Sequence, residues 1–236
     1  MAVQSLIQAH LRRLPVVDSD GKVVYMVTET QIVAWLYDAL VSSNGITGKE
    51  KSVLEKPITE LDALAHLKGK SETDLFSLSK TGRTDSKLDL EESNFLAING
   101  IAKAIEAFRV LVSTGASAVP IVDFDQKILG TVSVRDIRRI ASNAENVSVL
   151  YREDAATFSK RAWAARVRSI ANLPPIEDQV VDDDGFKPLI FVTLKDSVKT
   201  VLTRFHQNQM HRVWVVDEKS RPIGVVTLKD IVELLV

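Results

Sequence analysis

One pattern recurs three times in this chain, and it constrains the fold more than any other feature. "RRLPVVDSDGKVVYMVTETQ" begins at Arg12, "SAVPIVDFDQKILGTVSVRD" at Ser117 and "HRVWVVDEKSRPIGVVTLKD" at His211. In each copy an aliphatic run ends in an acid, a polar turn follows, and a second aliphatic run ends in a hydroxyl residue: Thr28, Ser133 or Thr227. The intervals Asp18 to Gln31, Asp123 to Asp136 and Asp217 to Asp230 are each 13 positions, without gaps. A spacing kept three times is a structural repeat. Short β-branched runs on either side of a turn such as "DSDG" predict a hairpin. After the hydroxyl the apolar period becomes helical, with Ile32, Trp35, Leu36 and Leu40 on one face in the first copy and Ile231, Leu234 and Leu235 in the third.

A second amphipathic helix is expected before each hairpin. Its apolar positions are Val3, Leu6, Ile7 and Leu11, then Ile101, Ile105, Phe108 and Leu111, then Val198, Val201, Leu202 and Phe205. "LIFVT" at 189–193 predicts a strand ahead of the third of these helices, and "FLAI" at 95–98 one ahead of the second. The full unit is strand, helix, strand, strand, helix, and the first copy is expected to lack its opening strand. At 236 residues and 45% hydrophobic content the chain can bury a substantial core. The 30 Lys and Arg nearly balance the 31 Asp and Glu, so no overall field favours nucleic acid. There is no Cys, which removes disulfides, thiolate metal sites and Cys nucleophiles. The opening "MAVQSLIQAHLRR" has no signal-like apolar core and no run reaches membrane-span length, so the expectation is a cytoplasmic chain, with the nucleus as a second location and no membrane partner.

The arrangement, with these sequences, resembles the cystathionine-β-synthase (CBS) domain family, α/β (α+β) units with a small sheet and two flanking helices that pair into Bateman modules. "RRLPVVDSDGKVVYMVTETQIVAWL", "GASAVPIVDFDQKILGTVSVRDI" and "MHRVWVVDEKSRPIGVVTLKDIVELLV" are similar, in order, to the second, third and fourth repeats of AMP-activated protein kinase γ subunits. On that resemblance residues 1–60 form an N-terminally truncated repeat, 61–94 a mobile linker, 95–165 a repeat, 166–187 a linker, and 188–236 a repeat pairing with the preceding one. The partner of the first repeat is then missing. Either the sequence is a fragment, or another chain or a second copy covers the apolar face left open.

Two readings apply to the acids at the helix starts. As local chemistry, Ser or Thr followed three residues later by an acid is a helix N-cap pattern, and Asp136 and Asp230 complete it. The resemblance implies more: a carboxylate that accepts both ribose hydroxyls of AMP, ADP or ATP, which its roughly four acceptor positions allow. Gln31 stands where the acid would be in the first copy, so that cleft is expected to be empty or weak. Phosphate requires cations, and Arg12 and Arg13 precede the first hairpin as His211 and Arg212 precede the third. Arg12 replaces the family's usual His. The second copy has Ser117 and Ala118 there and must borrow charge from a neighbour. Surface charge is the plainer reading of these cations. On the resemblance, Thr28, Ser117, Ser133, Arg135, Thr193, Thr227 and Lys229 join the nucleotide-contacting set. It also implies kinase catalytic (α) and scaffold (β) subunits as partners, AMP, ADP and ATP as regulatory ligands, no cofactor, and no catalysis by this chain. A generic CBS module binding another adenosyl ligand, or a scaffold with vestigial clefts, remains the alternative.

Other motifs fail on inspection. "GKS" at Gly69–Ser71 would need Gly at position 64 to form a P-loop, and Leu64 is there. "DDDG" at Asp182–Gly185 places Phe191 where a calcium loop needs an acid. Asn146-Val147-Ser148 matches a glycosylation sequon, which means little without an export signal. The four His residues lack metal-ligand spacing, and nothing forms a catalytic triad or a poised carboxylate pair. Residues 41–94 predict a mobile connection around a short helix near "ITELDALAHL", and 142–188 a connection with a helix at "DAATFSKRAWAARVRSI". Lys160, Arg161, Arg166 and Arg168 on that helix read first as a solvated face and second as a docking cluster.

Overall fold

The computed structural model describes residues 11, 13–41, 52, 54–61, 64, 96–137, 144–169 and 189–233. Val3, Leu6, Ile7, Arg12, Phe95, Leu234 and Leu235 fall outside the described residues, as do both rejected loops at 69–71 and 182–185 and the side chains of Leu40, Arg166 and Arg168. The chain is α/β, with three small sheets among the described residues, ordered β1-β2, β3-β4-β5 and β6-β7-β8. It divides into two compact units: Met1–Lys68, Val192–Val213 and Val225–Val236 form one, and Gly69–Phe191 and Trp214–Gly224 the other. Strands β7 (Arg212–Val216) and β8 (Pro222–Thr227) run through both.

The first unit holds the antiparallel hairpin β1 (Arg13–Val17) and β2 (Val23–Thr28), followed by α1 (Glu29–Val41). Helix α1 buries Ile32, Val33 and Leu36 against α5 (Val198–Asn208) and α6 (Leu228–Glu233). Trp35, expected on that face, is 64% exposed, and Val33 occupies the inward position. The expected face of α5 is in place: Val198, Val201, Leu202 and Phe205 are all buried, and Tyr37 stacks on His206 at 3.9 Å. The short helix expected near "ITELDALAHL" is, among the described residues, a 3-10 helix at Ile58–Glu60. The described part of this segment is docked. Ile58 N donates to Asp196 O (2.9 Å), Val198 N donates to Lys56 O (3.0 Å), and Leu54, Ile58, Leu61 and Leu64 are buried.

The second unit repeats that docking. Ala104 N donates to Glu153 O (3.1 Å) and Ala155 N to Ala102 O (2.7 Å), joining the start of α2 (Ala104–Thr114) to that of α4 (Ala155–Ser169). Its core contains Ala104, Ala107, Phe108, Leu111, Val119, Ile121, Val132, Leu150, Phe158 and Ala162. Both α3 (Ala144–Arg152) and α4 contribute to this core, α3 through Leu150 and α4 through Phe158 and Ala162. Gly130 on β5 (Ile128–Ser133) lies so close to Ser159 that a Cβ there would collide with it. Ile101, expected on α2, lies in the preceding turn and is exposed, because the backbone at 102–104 is committed to pairing with 153–155. The strand expected at 95–98 is β3 (Ile98–Asn99), parallel to β4 (Ala118–Val122), with Ile98 opposite Ile121 and Asn99 opposite Val122. Continuing the ladder would bring in Pro120, which has no N–H to donate. Trp214 Nε1 donates to Thr131 Oγ1 (2.7 Å) and Ile128 N to Ser220 O (2.9 Å), so the turn between β7 and β8 sits on the β5 hairpin within this unit.

The repeated acid ending each aliphatic run organises its turn. Asp18 Oδ1 accepts from Asp20 N and Lys22 N, Asp123 Oδ1 from Lys127 N, and Asp217 Oδ1 from Lys219 N and Arg221 N. Each turn needs a left-handed residue three positions on, and these are Gly21, Gln126 and Ser220. In the third turn Arg221 also closes a buried ion pair on Asp217, Nε to Oδ2 at 2.6 Å.

Candidate functional site

The three hairpins end in the same construction. In the third, Thr227 donates to Asp230 Oδ2 from its backbone N (2.6 Å) and its hydroxyl (2.8 Å). In the second, Ser133 donates to Asp136 Oδ2 in the same two ways (2.8 and 2.7 Å). In the first, Thr28 donates to Gln31 Oε1 (2.9 and 3.1 Å), while Gln31 Nε2 donates to Tyr25 Oη (2.8 Å). These bonds satisfy backbone groups that a helix start leaves open. They also fix the carboxylate, or the amide, at one place beside the hairpin.

Backbone hydrogen bonds hold the strand starts next to these caps. Leu228 N donates to His211 O (3.2 Å) and Val134 N to Ser117 O (3.1 Å), and β1 pairs Arg13 with Thr28. The residues before and at the first position of the strand therefore flank the hydroxyl of the same hairpin. His211 and Arg212 are half-buried beside Thr227 and Asp230, and Ser117 is half-buried beside Ser133 and Asp136. Arg13 is exposed beside Thr28, and Arg12 lies outside the described residues. Lys229 is exposed and pairs along α6 with Glu233 (3.3 Å), and Arg135 is exposed on the 3-10 turn carrying Asp136.

The two acids differ in burial. Asp136 is 2% exposed, whereas Asp230 is half-buried. Burial pushes the Asp230 carboxyl above the ordinary carboxylate range, with Thr227's two hydrogen bonds and Lys229 opposing and Glu233 adding to the rise. Both cap bonds to Asp230 go to Oδ2, so the cap leaves Oδ1 unused.

Thr193, at the end of β6 (Phe191–Thr193), donates from N (2.6 Å) and Oγ1 (2.9 Å) to Asp196 Oδ2. Its hydroxyl serves that turn. Asp196 is absent from the sequence-derived set, although "VTLKD" occurs twice, at 192–196 and 226–230, and the structure gives both copies the same hydroxyl–carboxylate geometry.

The described residues show the full strand–helix–strand–strand–helix order in the third repeat, and a capped polar residue lies beside the strand that starts each of the three hairpins, an arrangement of the CBS class. The CBS domain family model matches residues 1–38, 89–143 and 181–236, and the chain belongs to that family. It is similar to the 5′-AMP-activated protein kinase subunit gamma of Kluyveromyces lactis, 21% identical over 240 residues, covering 99% of this chain and 56% of that protein. Protein SDS23 of Yarrowia lipolytica is 29% identical over 139 residues, covering 59% of this chain and 25% of that protein. The chain thus spans between a quarter and little more than half of these relatives. The crystal structure of a conserved protein from Pyrococcus horikoshii superposes with a TM-score of 0.58 at 16% identity, covering 100% of this chain and 74% of that one, which shows the shared fold. No helix among the described residues is long and apolar enough to cross a membrane.

Proposed function

We propose that this chain is a non-catalytic regulatory module that binds AMP, ADP or ATP competitively and reports their balance to a protein kinase assembly. The similarity to a kinase γ subunit supports the kinase setting, with catalytic and scaffold subunits as partners. The observation that carries the ligand reading is the third-repeat constellation: a fixed Asp230 carboxylate with one oxygen outside the cap, and His211 and Arg212 beside the same hydroxyl. The carboxylate accepts the ribose hydroxyls and the imidazole and guanidinium meet phosphate oxygens. In the second repeat Ser133 and Asp136 offer the same chemistry behind a closed surface, so the third repeat binds first. In the first repeat the Gln31 amide turns its donor to Tyr25 and offers no charge. A nucleotide signals only through a difference in affinity between two states of the assembly.

Calorimetric titration of the chain with AMP, ATP and S-adenosylmethionine tests this reading. AMP and ATP competing for one site supports it. Binding of S-adenosylmethionine alone indicates a CBS module for a different adenosyl ligand, and no binding of any of the three indicates a scaffold. Affinity capture of a kinase from the source cell tests the assembly separately.

A further inference from the structure

The first and third repeats meet inside the first unit, and one contact between them reaches the candidate site. Beside the apolar packing of α1 on α5, the half-buried Tyr37 lays its ring on His206, with centroids 3.9 Å apart and planes 13° from parallel. Leu36 next to Tyr37 and Phe205 next to His206 are buried, so the ring pair adds orientation more than burial. His206 belongs to the last turn of α5, and the backbone from there to the third hairpin is tied at each step. Gln209 N donates to His206 O (3.3 Å), Met210 N to Phe205 O (3.1 Å), and His211 O accepts from Leu228 N (3.2 Å). Gln209 turns the chain in a left-handed conformation. The placing of His206 thus sets where the chain enters the strand that carries His211 and Arg212.

We propose that Tyr37 is a positioning residue for the phosphate end of the third-repeat site: through its stack on His206 it holds the turn that presents His211 and Arg212. This rests on the nucleotide reading given above. It gives the first repeat, whose own cleft carries the uncharged Gln31, a part in binding at the third. Asp230 is held by Thr227 and not by the α5 turn, so loss of the stack separates the phosphate contacts from the ribose contact. Coupling of this kind is reciprocal, and a phosphate bound at His211 and Arg212 steadies the docking of α1 in return.

Tyr37→Leu keeps apolar volume and removes the stack, whereas Tyr37→Phe keeps the ring. Calorimetry of the full chain should show AMP bound about fivefold more weakly by Tyr37→Leu, the worth of one aromatic pair, with adenosine unchanged and Tyr37→Phe like the parent. The amide resonances of residues 209–212 should move in Tyr37→Leu. In the parent, AMP should slow amide hydrogen exchange over α1 more than adenosine does, a comparison that needs no variant. Equal losses for AMP and adenosine, unmoved resonances, or equal exchange over α1 with the two ligands would each overturn this proposal alone. A parent that binds neither ligand would defeat the nucleotide reading and this proposal with it.

Discussion

Asp230→Asn separates the two things Asp230 does. The amide keeps one oxygen, so it can still accept from Thr227 N and Oγ1, and folding stability should change by less than about 0.5 kcal/mol. The ligand side loses more, since the group opposite the ribose becomes an uncharged amide whose N–H faces a hydroxyl instead of accepting from it. Losing charge-assisted hydrogen bonds of about 1.5–3 kcal/mol each, with partial compensation by rotation, gives about 3 kcal/mol, or roughly 150-fold in Kd for AMP. The pH dependence has a definite sign. Because burial raises the folded-state pKa of Asp230, protonation stabilises the native chain in acid, and that contribution disappears as pH rises through the window between 3.8 and the raised value. Nucleotide affinity runs the other way: it should fall as pH is lowered through the raised pKa, and Asp230→Asn should flatten that dependence. Calorimetry on both proteins across this range, beside urea unfolding, reads all three quantities. If Asp230→Asn binds AMP within about threefold of the parent while folding equally well, the ribose assignment is wrong.

Three further outcomes concern the scaffold. Arg221→Met leaves the Asp217 carboxylate buried without its cation and should cost about 3–5 kcal/mol in urea unfolding, whereas Lys127→Met, at the exposed equivalent position, should cost less than about 0.5 kcal/mol; equal effects would deny the buried pair any role. Gln209 ends α5 in a left-handed conformation (φ 47°) that Gly115 provides at the end of α2, so Gln209→Gly should stabilise the chain by about 0.5–1 kcal/mol; a loss would mean the side chain contributes more than the backbone strain. Asp154 caps α4 through Thr157 N (2.7 Å), and this bond holds its carboxyl below the ordinary value. Asp154→Ala should therefore cost about 1 kcal/mol near neutrality, the difference vanishing as pH falls through the lowered pKa, while a pH-independent cost would point to packing instead.

What the sequence revealed follows the range of each interaction. The hairpins, turns and caps are local: an aliphatic run, an acid and a hydroxyl at fixed spacing specify them, and the structure builds all three alike. The buried face of α5 was legible for the same reason, as four apolar residues at helical spacing. The misreadings arise where a distant segment decides. Ile101 looks helical by period, but the pairing of 102–104 with 153–155 delays the helix start. The Lys56–Ile58 clamp on Asp196 and Val198 joins residues far apart in the chain and leaves no periodic trace. Helix α3 is short and turns Leu150 into the core with Val149 partly buried beside it, too short a pattern to announce itself. In the candidate site the acids and hydroxyls were readable from spacing, whereas the closure over Asp136 depends on tertiary burial.

The most direct measurement is a crystal structure of the chain grown with AMP. The ribose hydroxyls should lie within hydrogen-bonding distance of Asp230, with the phosphate against His211 and Arg212. A well-ordered third repeat whose carboxylate holds only Thr227, with no nucleotide beside it, would contradict the account.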